Sequence, residues 1–328
     1  VAKFASILSI TSLCGLLIGQ IIASKTLIYS LGITSEIPFV LFWILIIGYT
    51  VMGGLKAVVA TDMAQVGLII VIFTGIFIYS LIKDPYSITS LISYTPKLNY
   101  NEIANLSPIV TMTALYALIE EDLAQRFFAS KNKFIASASA LTAGIFIIIF
   151  SCIPIYFGIQ AKLQGLQVIN GGSPLVPYLE ANVSELILAF ALCSLVAAIT
   201  STADSLLCAI SSNICQDFEL SAISIKNKVK RSQVVSLAVG IFTLVISYFV
   251  SHNIINILVG SYELSVCTLL VPILASFYNK QLPESSAIAS IVTGLSFFII
   301  FKFYPVPFSG IITIVLSLIA FIAAKRAQ

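Results

Sequence analysis

Charge is what this sequence has least of. Only 9% of its 328 residues are Asp, Glu, Lys or Arg, 59% are hydrophobic and the mean hydropathy is +1.06. Those values exclude a soluble globular domain. Histidine is nearly absent too: the single His252 sits in a short turn with no partner in sequence for zinc or triad chemistry. Of the six cysteines, Cys14, Cys152, Cys193, Cys208 and Cys267 fall within apolar stretches and Cys215 lies at a helix end, with no spacing that suggests a disulfide framework or a metal site. No Gln-rich, Pro-rich or charged low-complexity segment occurs. The sequence opens at Val1 almost inside a span, without a charged n-region or cleavage site, so either an unusual start codon or a missing upstream segment is expected. Whatever this chain does is expected to happen within a membrane bundle.

What is present is a series of long apolar runs. A spanning helix needs about 20 mostly apolar residues, and ten stretches qualify: roughly 4–31, 37–53, 57–82, 107–128, 134–159, 185–213, 232–251, 254–278, 285–303 and 306–324. The expected fold is an all-α membrane protein of about ten transmembrane helices. With ten spans and both termini on one side, that side collects Lys3, Lys56, Arg126, Lys131, Lys133, Lys226, Lys228, Lys230, Arg231, Lys280, Lys325 and Arg326. The other holds only Lys25, Lys83, Lys97, Lys162 and Lys302. Twelve cations against five places both termini in the cytoplasm, in an inner or plasma membrane. The basic cluster from Lys226 to Arg231 is then a topology signal, and no nucleic-acid partner is expected. Two longer external connections, 83–106 and 160–184, have room for short surface helices.

Polar residues inside the spans single out three helices. The most telling stretch is LVAAITSTADSLLCAISSNICQD, residues 195–217, which carries Thr200, Ser201, Thr202, Asp204 and Ser205 in an otherwise lipid-compatible run. Groups of this kind must face a protein interior or a wet cavity, and an ionisable one marks an ion or substrate path by default. The carbonyl of Ala198 and the side chains of Ser201 and Thr202 stand at i, i+3 and i+4, so three oxygens converge on one helix face. A small hard cation would suit them. The competing reading is that the hydroxyls bond back to their own helix.

The third span opens with MGGLKAVVATDMAQ, where Asp62 and Gln65 share a face. Asp62 is either part of an ion path or a carboxylate favoured by the helix dipole and nearby Lys56. The fourth ends in LYALIEEDLAQRFFASK, crowding Glu120, Glu121, Asp122, Gln125 and Arg126 just inside a span. One or two of the three acids can point inward, because successive positions rotate by about 100°. Alternatively the cluster is a solvated helix end with Arg126 paired to Asp122 at i+4. An inward acid would hold a cationic solute or carry a proton. Lys25 is expected to snorkel to the surface, and Glu263 in the eighth span has no clear partner.

Three motifs together resemble the sodium:solute symporter family. GGLKAVVATDMAQ at 53–65 is similar to its GGL-x-AVxxTDxxQ signature, AQRFFASK at 124–131 to its QR-x-x-x-AK element, and AAITSTADSLLCAISSNICQD at 197–217 to its helix of small residues followed by ST-x-x-S. The resemblance implies the leucine-transporter fold: two inverted repeats, with discontinuous helices holding solute and sodium near the bilayer midplane. Here that means a partial first repeat at 1–82, a second repeat at 107–278 and two additional helices at 285–324. It further implies that Ala198, Ser201 and Thr202 form half of the principal sodium site. Asp62 would match a position tied to a second sodium or an ion path, and Tyr116 a gate. From the residues alone, Asp204 joins the ion-path candidates and Glu120, Glu121 and Gln125 the solute or gate candidates. Glu120 and Glu121 stand where the family more usually has neutral or singly acidic residues.

Counted back from the GGL motif, the first two core helices of the family are missing. The fourth span has neither Gly nor Pro after Pro108 to mark its expected break. The function expected is a sodium-coupled symporter of a small organic solute, with Na+ as coupling ion, no other cofactor and no covalent chemistry, in fragment or truncated form. A separate chain supplying the two helices would be a partner alongside the solute and the bilayer. The alternatives are a symporter-related solute-sensing domain and an inactive degenerate product. The face of the sixth span that a first core helix would cover, including Asp204, is expected to fall to lipid or to a collapsed bundle. Residues 1–328 expressed alone should therefore insert with both termini cytoplasmic but show no sodium-driven uptake in vesicles, since three oxygens fall short of the usual five or six ligands. Uptake by the chain alone would overturn this.

Overall fold

The computed structural model describes residues 1–95, 99–167, 173–218, 227–250, 253–278 and 282–326, with the backbone alone at 90–92. Among these residues every regular element is helical, and nine helices are long and apolar enough to cross a membrane. The protein is an all-α, multi-pass membrane protein. His252 and Lys226 lie outside the described residues.

The helices are α1 (Ala2–Ser30), α2 (Glu36–Lys83), α3 (Ser87–Ser93), α4 (Tyr100–Tyr116), α5 (Glu121–Phe128), α6 (Lys133–Leu163), α7 (Leu175–Asn182), α8 (Glu185–Asp217), α9 (Lys228–Ile246), α10 (Ile254–Tyr278), α11 (Glu284–Phe303) and α12 (Ser309–Arg326). The two external connections hold α3 and α7, short helices of the kind expected there.

The second and third spans read from sequence are one element, α2, bent at Gly54, where φ is 55° and ψ is −163°. Only glycine occupies that region without strain. The bend is a reversal. Thr50 and Gln65, which a straight helix would hold roughly 22 Å apart, bond to Asp204 and Thr200, one turn of α8 apart. The arms at 36–53 and 55–83 are roughly 27 and 43 Å long, so each can cross a hydrocarbon core about 30 Å thick. The nine spanning helices among the described residues therefore hold ten stretches able to cross, because α2 joins two of them through a single glycine.

The fourth span starts earlier than its hydropathy suggests. Asn99 and Glu102 form a reciprocal capping box, with Glu102 N–H donating to Asn99 Oδ1 at 2.9 Å and Asn99 N–H to Glu102 Oε2 at 2.8 Å. This fixes the helix start seven residues before position 107. The span is also broken. After Tyr116 the backbone tightens into i→i−3 bonds, Leu118 N–H to Leu115 O and Ile119 N–H to Tyr116 O, and α5 begins anew when Ala124 N–H reaches Glu120 O.

The chain divides into two units. One comprises residues 1–21, 98–125 and 206–328, in which α10 packs on α4, α11 and α12. Its helices approach closely through small residues, as membrane helices do when backbone contact replaces a hydrophobic driving force. Ser12 Oγ donates to Ser261 O at 2.6 Å, and the Ser290 and Ser317 hydroxyls pair at 2.8 Å. A Cβ on Gly294 would collide with the Cys267 carbonyl. Glu263, without a partner in sequence, pairs with Lys302 at 2.8 Å.

The other unit comprises residues 22–97 and 126–205. Its core joins Phe73 and Ile76 of α2 to Tyr156 and Phe157 of α6, Tyr178 and Leu179 of α7, and Ala191 of α8. Burial pushes the Tyr178 phenol up to about 12, so it stays protonated and donates to Ser80 Oγ at 3.3 Å. Lys25, expected to snorkel to the surface, forms an ion pair there with the half-exposed Glu36 at 2.8 Å.

Replacing Gly54 by Ala should destabilise the protein by about 1–3 kcal/mol, the usual cost of a strained backbone conformation. Gly48, whose Cβ would meet nothing, should tolerate Ala with little change. Thermal unfolding in detergent of both variants checks this; equal melting temperatures would mean the turn does not depend on glycine.

Candidate functional site

The hydroxyl-rich segment of α8 lies at the middle of a 33-residue helix, and five side chains of the same unit converge on it. Asp204 is 0% exposed. Its Oδ1 accepts from Thr50 Oγ1 at 2.5 Å and its Oδ2 from the Tyr49 hydroxyl. Of the two expectations for this acid, lipid or a collapsed bundle, the first is excluded: the first arm of α2 seals it. Gln65 Nε2, on the second arm, donates to Thr200 Oγ1 at 2.9 Å.

Asp62 is 8% exposed, and its Oδ2 takes the Arg126 guanidinium at 2.8 Å, while Ser201 stands beside the same carboxylate. Arg126 Nη2 also donates to the Ser205 hydroxyl. Of the readings open for Arg126, the i, i+4 ion pair with Asp122 is not formed among the described residues, and Arg126 pairs with Asp62 instead. An i, i+4 pair near water contributes a few tenths of a kcal/mol, whereas a buried carboxylate without its cation is far more costly.

The sequence-derived cation ligands lie on the adjoining face of α8. Thr202 Oγ1 donates to the Ala198 carbonyl at 3.3 Å, so the back-bonding reading describes this hydroxyl in the present conformation. The same geometry brings both oxygens together, and rotating one hydroxyl proton would free both for a cation. Two further acceptors, Asp62 Oδ1 and Gln65 Oε1, are buried without a hydrogen-bond partner. They belong to the two residues, one turn apart on α2, that meet Ser201 and Thr200. The available donor set is all oxygen and suits a hard cation. Among the described residues no cluster of three His, Cys, Asp or Glu side chains is placed to hold a metal ion.

The remaining candidates gather in the other unit. Tyr116 is buried, its ring 4.8 Å from that of Tyr262 and inclined at 42°. Glu120 and Asp122 lie near both phenols. Glu121 is half-buried and accepts from the Asn213 side chain, with Ser9 close by. It thus points inward, away from the solvated helix-end alternative, while Gln125 is half-buried on the same short helix.

Sequence reasoning missed Tyr49, Thr50, Ser9, Asn213 and Tyr262 as partners. The first two carried a usable signal: a polar dipeptide closing the run LFWILIIG needs a polar partner in the membrane. The others have no local signature, since each meets its partner across a large sequence separation.

No known protein family matches this chain, and no curated protein matches it.

Arg126→Gln should cost about 1–3 kcal/mol by leaving Asp62 buried beside no cation, at the lower end because the arginine side chain is 41% exposed. Adding Asp62→Asn should recover more than half of that loss. Thermal melting of the single and double variants checks it; equal loss in both would remove the ion pair as the cause.

Proposed function

We propose that this chain is a sodium-coupled secondary symporter for a small organic solute, of the sodium:solute symporter type with a leucine-transporter-like inverted-repeat bundle. It sits in an inner or plasma membrane with both termini cytoplasmic, and it moves its solute without covalent chemistry. The observation that carries the reading is the oxygen-lined mid-span segment of α8. Ala198 O and Thr202 Oγ1 lie together, Ser201 stands beside Asp62, and two buried acceptor oxygens on α2 make no hydrogen bond. Asp62 Oδ1 and Gln65 Oε1 are buried acceptors that a hard cation could use together with the α8 oxygens.

The break between α4 and α5 supports the same reading, because discontinuous helices in transporters place freed backbone groups and polar side chains beside the solute. Tyr116, Glu120, Glu121 and Gln125 cluster at or beside that break and are the proposed solute and gate residues. Asp62 and Asp204 would serve the ion path. The remaining sodium ligands would come from two helices that the family resemblance places before the first span, supplied by a preceding segment or by another chain.

In a form that transports, Ser201→Ala and Thr202→Ala should each lower apparent sodium affinity about tenfold or more while leaving expression nearly unchanged, since alanine is a good helix former. Solute uptake measured against sodium concentration is the test. Unchanged sodium dependence in both variants would overturn the assignment.

A further inference from the structure

A groove of about 550 Å³ opens between the second arm of α2 and the α5–α6 corner, lined by Leu55, Val59, Met63 and Val66 on one wall and by Arg126, Ala129 and Ser130 on the other. It lies within one unit of the chain. Its α2 wall is a single helix stripe: Lys56, Val59, Met63 and Val66 follow one another at intervals of three and four residues. The apolar members are exposed, Met63 at 75%. The stripe therefore runs from a cation into hydrocarbon-like surface over roughly 15 Å, the depth of one leaflet of a bilayer.

The opposite wall has the same polarity. Arg126 and Ser130 line the groove, and the exposed Lys131 and Lys133 follow Ser130 in the turn to α6. From Leu123 to Lys133 the chain carries three cations and no acid. At the groove the single carboxylate is Asp62, already held by Arg126. None of the three lysines makes an ion pair among the described residues. Arg126 within the groove, and three exposed lysines one to three residues from lining residues in sequence, give the groove a cationic border beside its exposed apolar stripe, which complements a molecule with an anionic head and an acyl tail.

We propose that this groove is a binding site for an anionic phospholipid, whose phosphate meets Lys56, Lys131, Lys133 and the free edge of the Arg126 guanidinium, and whose acyl chain lies along Val59, Met63 and Val66. Basic pockets between membrane helices at the headgroup level bind lipid phosphates in this way. The site does not depend on transport, and its test does not either.

The experiment is native mass spectrometry of the purified 328-residue chain in detergent, incubated with phosphatidylglycerol or with phosphatidylcholine of the same acyl chains. Phosphatidylglycerol should be retained at least about tenfold better. The variant K56Q/K131Q/K133Q, altered only at exposed positions, should fall to the phosphatidylcholine level with an unchanged melting temperature. Met63→Trp, which fills the channel, should lose both lipids. Equal retention of the two lipids by the parent chain, or undiminished phosphatidylglycerol on either variant, would overturn the proposal. So would displacement of the lipid by inorganic phosphate, which would mark a site for free anions, or a groove closed by a second copy, seen as a dimer without lipid.

Discussion

A carboxylate inside a hydrocarbon layer must find its hydrogen-bond donors within the protein, and Asp204 finds them in Tyr49 and Thr50. Much of the unit built around α8 follows from that requirement. For the first arm of α2 to reach Asp204 while the second arm reaches Thr200, the chain must reverse over a few residues, and Gly54 is the residue whose backbone permits it. Once the second arm is in place, Asp62 faces α8 as well. Its charge then needs a cation, and Arg126 supplies one while satisfying Ser205. One buried acid thus entails a glycine, a second acid and an arginine.

The same network explains why an oxygen-rich segment can stay helical in a membrane. Thr200, Ser201, Thr202 and Ser205 each have a backbone or side-chain partner, so none forces the helix to unwind. The side chains of Tyr49, Thr50, Asp62 and Gln65 on α2 hold Asp204, Ser201 and Thr200 in position; if a cation binds there, as proposed, those oxygens are already ordered. Such preorganisation lowers the cost of ordering ligands on binding.

Helix type, number and approximate placement were legible because apolar runs of about 20 residues in a chain this poor in charge admit few other structures. The polar helices were legible for the complementary reason: an acid or a cluster of hydroxyls in such a run stands out. What the sequence hid were pairings over long separations. Arg126 has an acid one turn away in Asp122, and local geometry favours it, yet the partner that matters is Asp62, 64 residues earlier. Asp204 looked unsheltered because its donors stand 154 and 155 residues away. The break after Tyr116 was hidden differently, since it uses no Gly or Pro and therefore leaves no mark in composition.

That last feature has a mechanical meaning. Gly54 bends the chain through a dihedral pair that a helix cannot contain, so straightening it would require rotating the backbone across a steric barrier. Between Ala117 and Glu120 no residue has a positive φ, and Ala117 itself lies in the right-handed helical region, at φ −56° and ψ −21°. Nothing in the backbone opposes the restoration of regular helix there. The interruption is maintained by tighter local hydrogen bonds and by what Glu121 grips at Asn213. One bend is thus fixed by a backbone conformation that only glycine adopts easily, and the other by hydrogen bonds alone.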